Sequence, residues 1–229
     1  MAFDFRNAAT IAWARKNPRT NRESSRLVAG WIDAWSLFID AHGAAGFAMA
    51  LFPDTQRGAY DRALAHTVQT TVPELLRAGP NADLPVAVAC LNRLLGSGPG
   101  LTPSGDDFAT GYFLGFQDRA EEPEEKEFLH RLMQAALVKS CDSTDVSRAC
   151  LAHAATGRFS SPLINLTDAI ATHAGDIPAR LADVIDLGHS SGRDTVFGLL
   201  CGLPVHEPAL GERVINKLNA AHLHEKVTR

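Results

Sequence analysis

Apolar residues recur along this chain at helical spacing almost throughout. Leu27, Trp31, Trp35 and Phe38 follow one another at steps of four, four and three, which puts them on one face of a helix. Ser24 and Ser25 stand where its N-cap belongs. Tyr60, Leu64, Val68 and Val72 repeat every four residues, and Pro73 is expected to break or kink that helix. Pro85, Pro123, Pro162 and Pro178 sit as first-turn prolines. The helices they open carry Leu91 and Leu95, then Phe128, Leu132 and Leu137, then Ile164 and Ile170, then Leu181 and Ile185. Gly157 and Gly188 read as C-terminal stops, and a last helix runs from about Pro208 to Leu223. Strand signals are confined to the first few residues and to Phe47–Phe52. The pattern predicts a mainly α, compact domain of about nine or ten helices, with glycine-rich loops at helix N-termini and little or no β. It divides into an N-terminal helical segment, residues 1–80, and a helical ligand-binding domain, residues 81–229.

Composition acts mainly by exclusion. The 229 residues carry 22 Lys and Arg against 26 Asp and Glu, a formal net charge of −4, which lacks the basic excess of a nucleic-acid binder. The charge run Glu121 to Glu127 is a solvated helix start, where the dipole favours acids. The longest apolar run, Gly43 to Phe52, is too short for a membrane span of about 20 residues. Asp4 and Arg6 interrupt the apolar start, so no secretory signal is expected and a cytoplasmic location is the default. Cys90, Cys141, Cys150 and Cys201 form no CxxC pair, and each lies in an apolar stretch, so free buried thiols are expected. His153, His173 and the other histidines form no HExxH or HxxxH pair, and no zinc site is expected.

Candidate chemistry concentrates in Gly96-Ser-Gly-Pro-Gly-Leu-Thr-Pro-Ser-Gly105, followed by Asp106-Asp107-Phe108. Glycines permit positive φ and close approach to a ligand, prolines stiffen the loop, and the helix that follows presents its positive dipole end to anions. No Lys-Ser or Lys-Thr follows the last glycine, so it is not a Walker A loop, and no βαβ unit surrounds it. Ser104 to Asp107 also fits a capping box, which alone would explain both residues.

The segment has an echo. Ser104-Gly105-x-Asp107-x-x-x-Gly111 and Ser191-Gly192-x-Asp194-x-x-x-Gly198 share one pattern, and Gly115 and Gly202 extend it by a further turn. Either these are two unrelated capping boxes, or two helix N-termini converge on one polar site. That site would offer Gly98, Gly100, Thr102, Ser104, Gly105, Ser147, Ser190, Ser191, Gly192 and Arg193 to a small anion. Asp106, Asp107, Asp194 and His189 are its candidate catalytic groups. The carboxylates suit Mg²⁺ if a metal takes part, or one serves as general base. His189 is either a proton-transfer group or a donor to helix-end carbonyls.

Gly98 to Phe108, the helix with Ser143, Thr144, Ser147, Leu151, Ala154 and Gly157, and Gly188 to Asp194 together resemble a bacterial family, long of unknown function, that includes the AllH subunit of oxamate carbamoyltransferase. The resemblance covers roughly residues 84 to 205. Family members are often longer and carry a β-rich N-terminal part that the first eighty residues here do not show, and Ser143 stands where threonine is common. The resemblance implies a role in purine or nitrogen catabolism beside partner subunits, interconverting oxalurate plus phosphate with oxamate plus carbamoyl phosphate. The Ser-Thr-Arg-Thr-Arg run of aspartate- and ornithine-type carbamoyltransferases is absent. Three readings follow: an enzyme subunit, a non-catalytic binding or regulatory subunit working with a partner or as a homo-oligomer, and a helical domain whose motifs are only caps.

Overall fold

A computed structural model of the protein describes residues 13–15, 24–41, 46–52 and 58–227. Ten α-helices occur among them: α1 (Ser24–Asp40), α2 (Ala59–Ala78), α3 (Leu84–Leu94), α4 (Ser104–Arg119), α5 (Pro123–Lys139), α6 (Asp145–Ala155), α7 (Ser161–Thr172), α8 (Ile177–Ile185), α9 (Ser191–Gly202) and α10 (Pro208–Val227). Among the described residues, the strands are β1 (Trp13–Arg15) and β2 (Arg158–Ser160), antiparallel with Trp13 opposite Ser160. The mainly α expectation is met. The strand signal in the first few residues lies outside the described residues.

Local chemistry explains the boundaries. Asp83 Oδ1 accepts from Val86 N at 3.2 Å and, with Pro85, opens α3. Glu122 and Glu125 form a reciprocal capping box at the start of α5. Gly157 and Gly188, at φ +72° and +69°, follow the ends of α6 and α8 in the conformation a helix stop requires. Three expectations are corrected. Pro73 does not break α2, which runs on to Ala78 with Val68, Val72, Pro73, Leu75 and Leu76 buried; that packing outweighs one missing backbone hydrogen bond. Phe47–Leu51 is a 3₁₀ turn rather than a strand, and all five of its residues are buried, so no solvent face imposed an alternation. Only Cys90 and Cys201 are buried thiols; Cys141 is exposed and Cys150 half-buried.

One apolar cluster extends from Leu27 in α1 to Leu218 in α10, with α4 at its centre. Trp31 of α1 donates from Nε1 to the Leu200 carbonyl of α9 at 2.9 Å. The Phe108 ring of α4 meets Phe197 of α9 edge-on at 5.4 Å.

α4 and α9 touch backbone to backbone through their glycines. A Cβ on Gly111 would lie 1.9 Å from the Thr195 carbonyl oxygen, and one on Gly198 would lie 1.9 Å from that of Phe108. One turn further, Gly115 faces the Leu199 oxygen at 2.6 Å, and Gly202 faces the Tyr112 oxygen at 2.3 Å. Both sets of contacts advance together along the two helices, so the helices run parallel. Each contact maps onto its mate by a shift of 87 positions (191 − 104). A pseudo-twofold axis therefore lies between α4 and α9, and the two Ser-Gly-x-Asp turns stand side by side at the same end.

Candidate functional site

The glycine-rich loop is anchored to that end. Gly105 N donates to the Ser97 carbonyl at 2.9 Å. Gly96 N donates to Asp106 Oδ1 at 2.8 Å, and the Thr144 hydroxyl donates to the Leu101 carbonyl. Gly98, at φ +110°, packs so closely that a Cβ there would lie 2.7 Å from Ser104 N. Gly100 shares the positive φ, at +103°, and faces open space.

The carboxylates have separate surroundings. Asp106 Oδ2 accepts from Ser143 and Ser147, each at 2.5 Å, which with the Gly96 bond ties the loop, α4 and α6 together. Asp106→Ala would strand three donors. It is expected to lower stability by about 2–4 kcal/mol, read as the shift in a denaturant midpoint; a wild-type midpoint would contradict this role.

Asp107 faces the Thr102 and Ser191 hydroxyls, which themselves lie 3.4 Å apart and close the 87-residue gap between the two motifs. Burial pushes its carboxyl up to about 7; the two hydroxyls oppose that rise and Asp106 adds to it. Asp107 Oδ2 has no hydrogen-bond partner among the described residues.

Asp194 is its mate across the pseudo-twofold and lies deeper. Its Oδ1 accepts from Phe47 N at 2.6 Å, so α9 caps the 3₁₀ turn at a distance. Ala48 N and the Ser104 hydroxyl lie beside the carboxyl and favour its charged form, although Ser104 Oγ makes no hydrogen bond of normal geometry. Gly46 is required there, because a Cβ would lie 2.3 Å from both carboxylate oxygens and its φ is +66°. Burial pushes Asp194 up to about 7 as well, with Asp107 adding to the rise.

A folded pKa near 7 against an ordinary value of 3.8 means that the native state holds the proton more tightly than the unfolded chain. The stability from these groups is therefore complete below about pH 4 and is lost as pH rises towards 7. Asn at position 194 keeps the acceptor for Phe47 N and never ionises. Asp194→Asn is expected to be more stable than the wild type at pH 8, by up to about 4 kcal/mol, with the gap closing near pH 4. Urea titrations at the two pH values measure it, and parallel pH profiles for the two proteins would contradict it.

The motif residues thus divide. Thr102, Asp107 and Ser191 come together at the surface of the joined helix ends, with Ser190 and Arg193 half-buried beside them in sequence and His189 exposed. Gly105 and Gly192 are packing residues: a Cβ on either would lie 1.8 or 1.9 Å from the carbonyl oxygens of Leu94 and Val184. Ser147 is buried and spent on Asp106. Neither motif is a capping box, because Ser104 opens α4 behind an N-cap at Pro103 and Ser191 opens α9 behind an N-cap at Ser190, which makes no side-chain cap bond. The amides of Gly105, Asp106, Asp107, Gly192 and Asp194 already bond to backbone carbonyls, so they offer nothing to an anion. Ser191 and Arg193 amides take no backbone partner among the described residues. The three aspartates do not suit a metal. Asp106 and Asp194 point their bonded oxygens at protein donors, and among the described residues no three His, Cys, Asp or Glu side chains stand close enough to hold an ion. The Phe47 and Ala48 amides carried no sequence signal, since any backbone has them.

Residues 94–203 match the family model described as oxamate carbamoyltransferase subunit AllH. That match supports membership of the AllH family over the stretch it covers. The matched stretch begins at the end of α3 and closes just after α9, so it contains both glycine-packed helices and the turns between them. No solved structure matches the chain. Among the described residues, no helix is long and apolar enough to cross a membrane.

Proposed function

We propose that this chain is the subunit of an oxamate carbamoyltransferase-like enzyme that holds a small anionic substrate: carbamoyl phosphate, oxamate or oxalurate. The observation that carries the reading is the meeting of Thr102, Asp107 and Ser191 at the joined ends of two parallel helices, inside the stretch that matches AllH. The hydroxyls, the first-turn amides of α9 and the Arg193 guanidinium supply anion recognition. Ser190 and His189 form the rim, Asp107 is the group that touches substrate, and Asp106 and Asp194 position it. Partner subunits, or further copies of this chain, complete the enzyme, which serves purine or nitrogen catabolism in the cytoplasm.

A thermal-shift series with phosphate, oxamate, oxalurate and carbamoyl phosphate tests the reading, since a ligand that binds only the folded chain raises the midpoint by mass action. At least one is expected to do so; no shift with any of them would overturn it. A regulatory or purely binding subunit is the second reading. It is favoured by the commitment of Asp106 and of Asp194 Oδ1 to protein donors. Binding without turnover in the reconstituted complex would select it.

A further inference from the structure

A cavity lies away from the joined helix ends, at the far end of α9 and roughly 16 Å along that helix from Ser191. Its volume is about 280 Å³, just under the range of pockets for drug-sized ligands, so it suits a smaller molecule. Leu76, Val205 and Ile215 form apolar walls, and Tyr112 of α4 lies beneath them, 2% exposed. The Tyr112 backbone packs on Gly202 of α9, while its hydroxyl reaches Gly79 at the end of α2, where a Cβ would lie 2.8 Å from it. That hydroxyl makes no hydrogen bond among the described residues, and unlike Asp107 Oδ2 and Asp194 Oδ2 it is not sealed off from the cavity. The core has no use for a hydroxyl there. The aromatic neighbours on α4 are Phe108, Phe113 and Phe116, and the mate 87 positions on is the fully buried Leu199. A buried donor left without a partner is costly, so phenylalanine would serve the fold better. The mouth carries Arg77 from α2 and Glu212 from α10, both exposed and neither ion-paired among the described residues.

We propose that this cavity binds a free α-amino acid whose largely apolar side chain ends in a hydrogen-bonding heteroatom. The carboxylate lies on Arg77 and the ammonium on Glu212, the carbon body rests on the apolar walls, and the heteroatom takes the Tyr112 hydroxyl. A simple acid, an amine or a peptide end meets one charge of the mouth and leaves the other bare. Burial pushes the Tyr112 phenol up, so it stays protonated and offers a donor at any physiological pH. Gly211 of α10 keeps the mouth open, since it lines the cavity and nothing lies within 4 Å of its Cβ position. This site is separate from the anion site at the Ser-Gly-x-Asp turns and does not depend on it.

Calorimetric titration of the full chain with leucine, methionine, phenylalanine and tyrosine tests this. Methionine or tyrosine is expected to bind with a Kd below about 1 mM, and about two- to tenfold tighter than leucine or phenylalanine, its partner without the heteroatom. The primary amide of the bound amino acid, which lacks the carboxylate, and its deaminated acid, which lacks the ammonium, should each bind at least about tenfold more weakly. Tyr112→Phe should erase the preference for the heteroatom and, without ligand, melt no lower than the wild type, because the hydroxyl it removes has no partner in the protein. Gly211→Leu places a side chain in the mouth and should abolish amino-acid binding, while phosphate or oxamate at the Ser-Gly-x-Asp turns binds as before. Failure of all four amino acids to bind would overturn the inference and leave the anion site standing. So would binding unchanged in Gly211→Leu, or a lowered melting temperature for Tyr112→Phe. The wild-type series with the amide and the deaminated acid decides the matter even if a variant does not fold.

Discussion

Gly111→Ala, and Gly198→Ala with it, is expected to unfold much of the protein's stability margin. Alanine is the better helix former by about 1 kcal/mol, so an exposed helical glycine would gain from the change. Here the added carbon would stand 1.9 Å from a carbonyl oxygen of the facing helix, and that oxygen belongs to backbone that has no rotamer to change. The helices must separate, and α4 sits at the centre of the core with both flanks packed. A loss of about 3 kcal/mol or more per substitution follows, roughly 6–12 °C in Tm for a chain of this size. Gly211, in α10, has nothing within 4 Å of its Cβ and supplies the control: Gly211→Ala should be neutral or stabilising. Equal melting temperatures for Gly111→Ala and Gly211→Ala would refute the close parallel packing.

The second large effect is on activity. Asp107→Ala is expected to lower turnover of the reconstituted enzyme by roughly 10² or more, the scale of losing a group that acts on substrate directly. Folding should survive, since the residue sits at the edge of the core and leaves one oxygen unpaired in the wild type. Asp194→Asn preserves shape and the Phe47 contact, and should cost less than about tenfold. The contrast between these two, related by the pseudo-twofold, is the measurement. Similar losses from both would mean that the two carboxyls act as a pair, against the division of roles drawn here.

Much of the architecture was legible in the chain because most helices lie at the surface and keep one apolar stripe, as α1 does through Leu27, Trp31 and Phe38. Helix boundaries were legible where Pro or Gly fixes φ. The repeated Ser-Gly-x-Asp turns stand side by side, with the Thr102 and Ser191 hydroxyls 3.4 Å apart. What they did was harder to read. Serine before an acid three residues on reads as a cap from sequence, but Ser104 is turned inward towards Asp194, a neighbour 90 positions away (194 − 104). Phe47–Leu51 misled because a fully buried 3₁₀ turn and a buried strand are both plain apolar runs. Gly105 and Gly192, expected to cradle a ligand, cradle the carbonyls of Leu94 and Val184. A glycine's purpose depends on what approaches it, which only the tertiary structure supplies.

Held at Gly96, Leu101 and Gly105, the Gly96–Pro103 segment is a fixed wall rather than a hinged cover. If a small molecule binds there as proposed, little ordering entropy would be lost on its arrival, and its arrival and departure would not wait on the slow opening of a lid. Residence time would then be set by the contacts themselves.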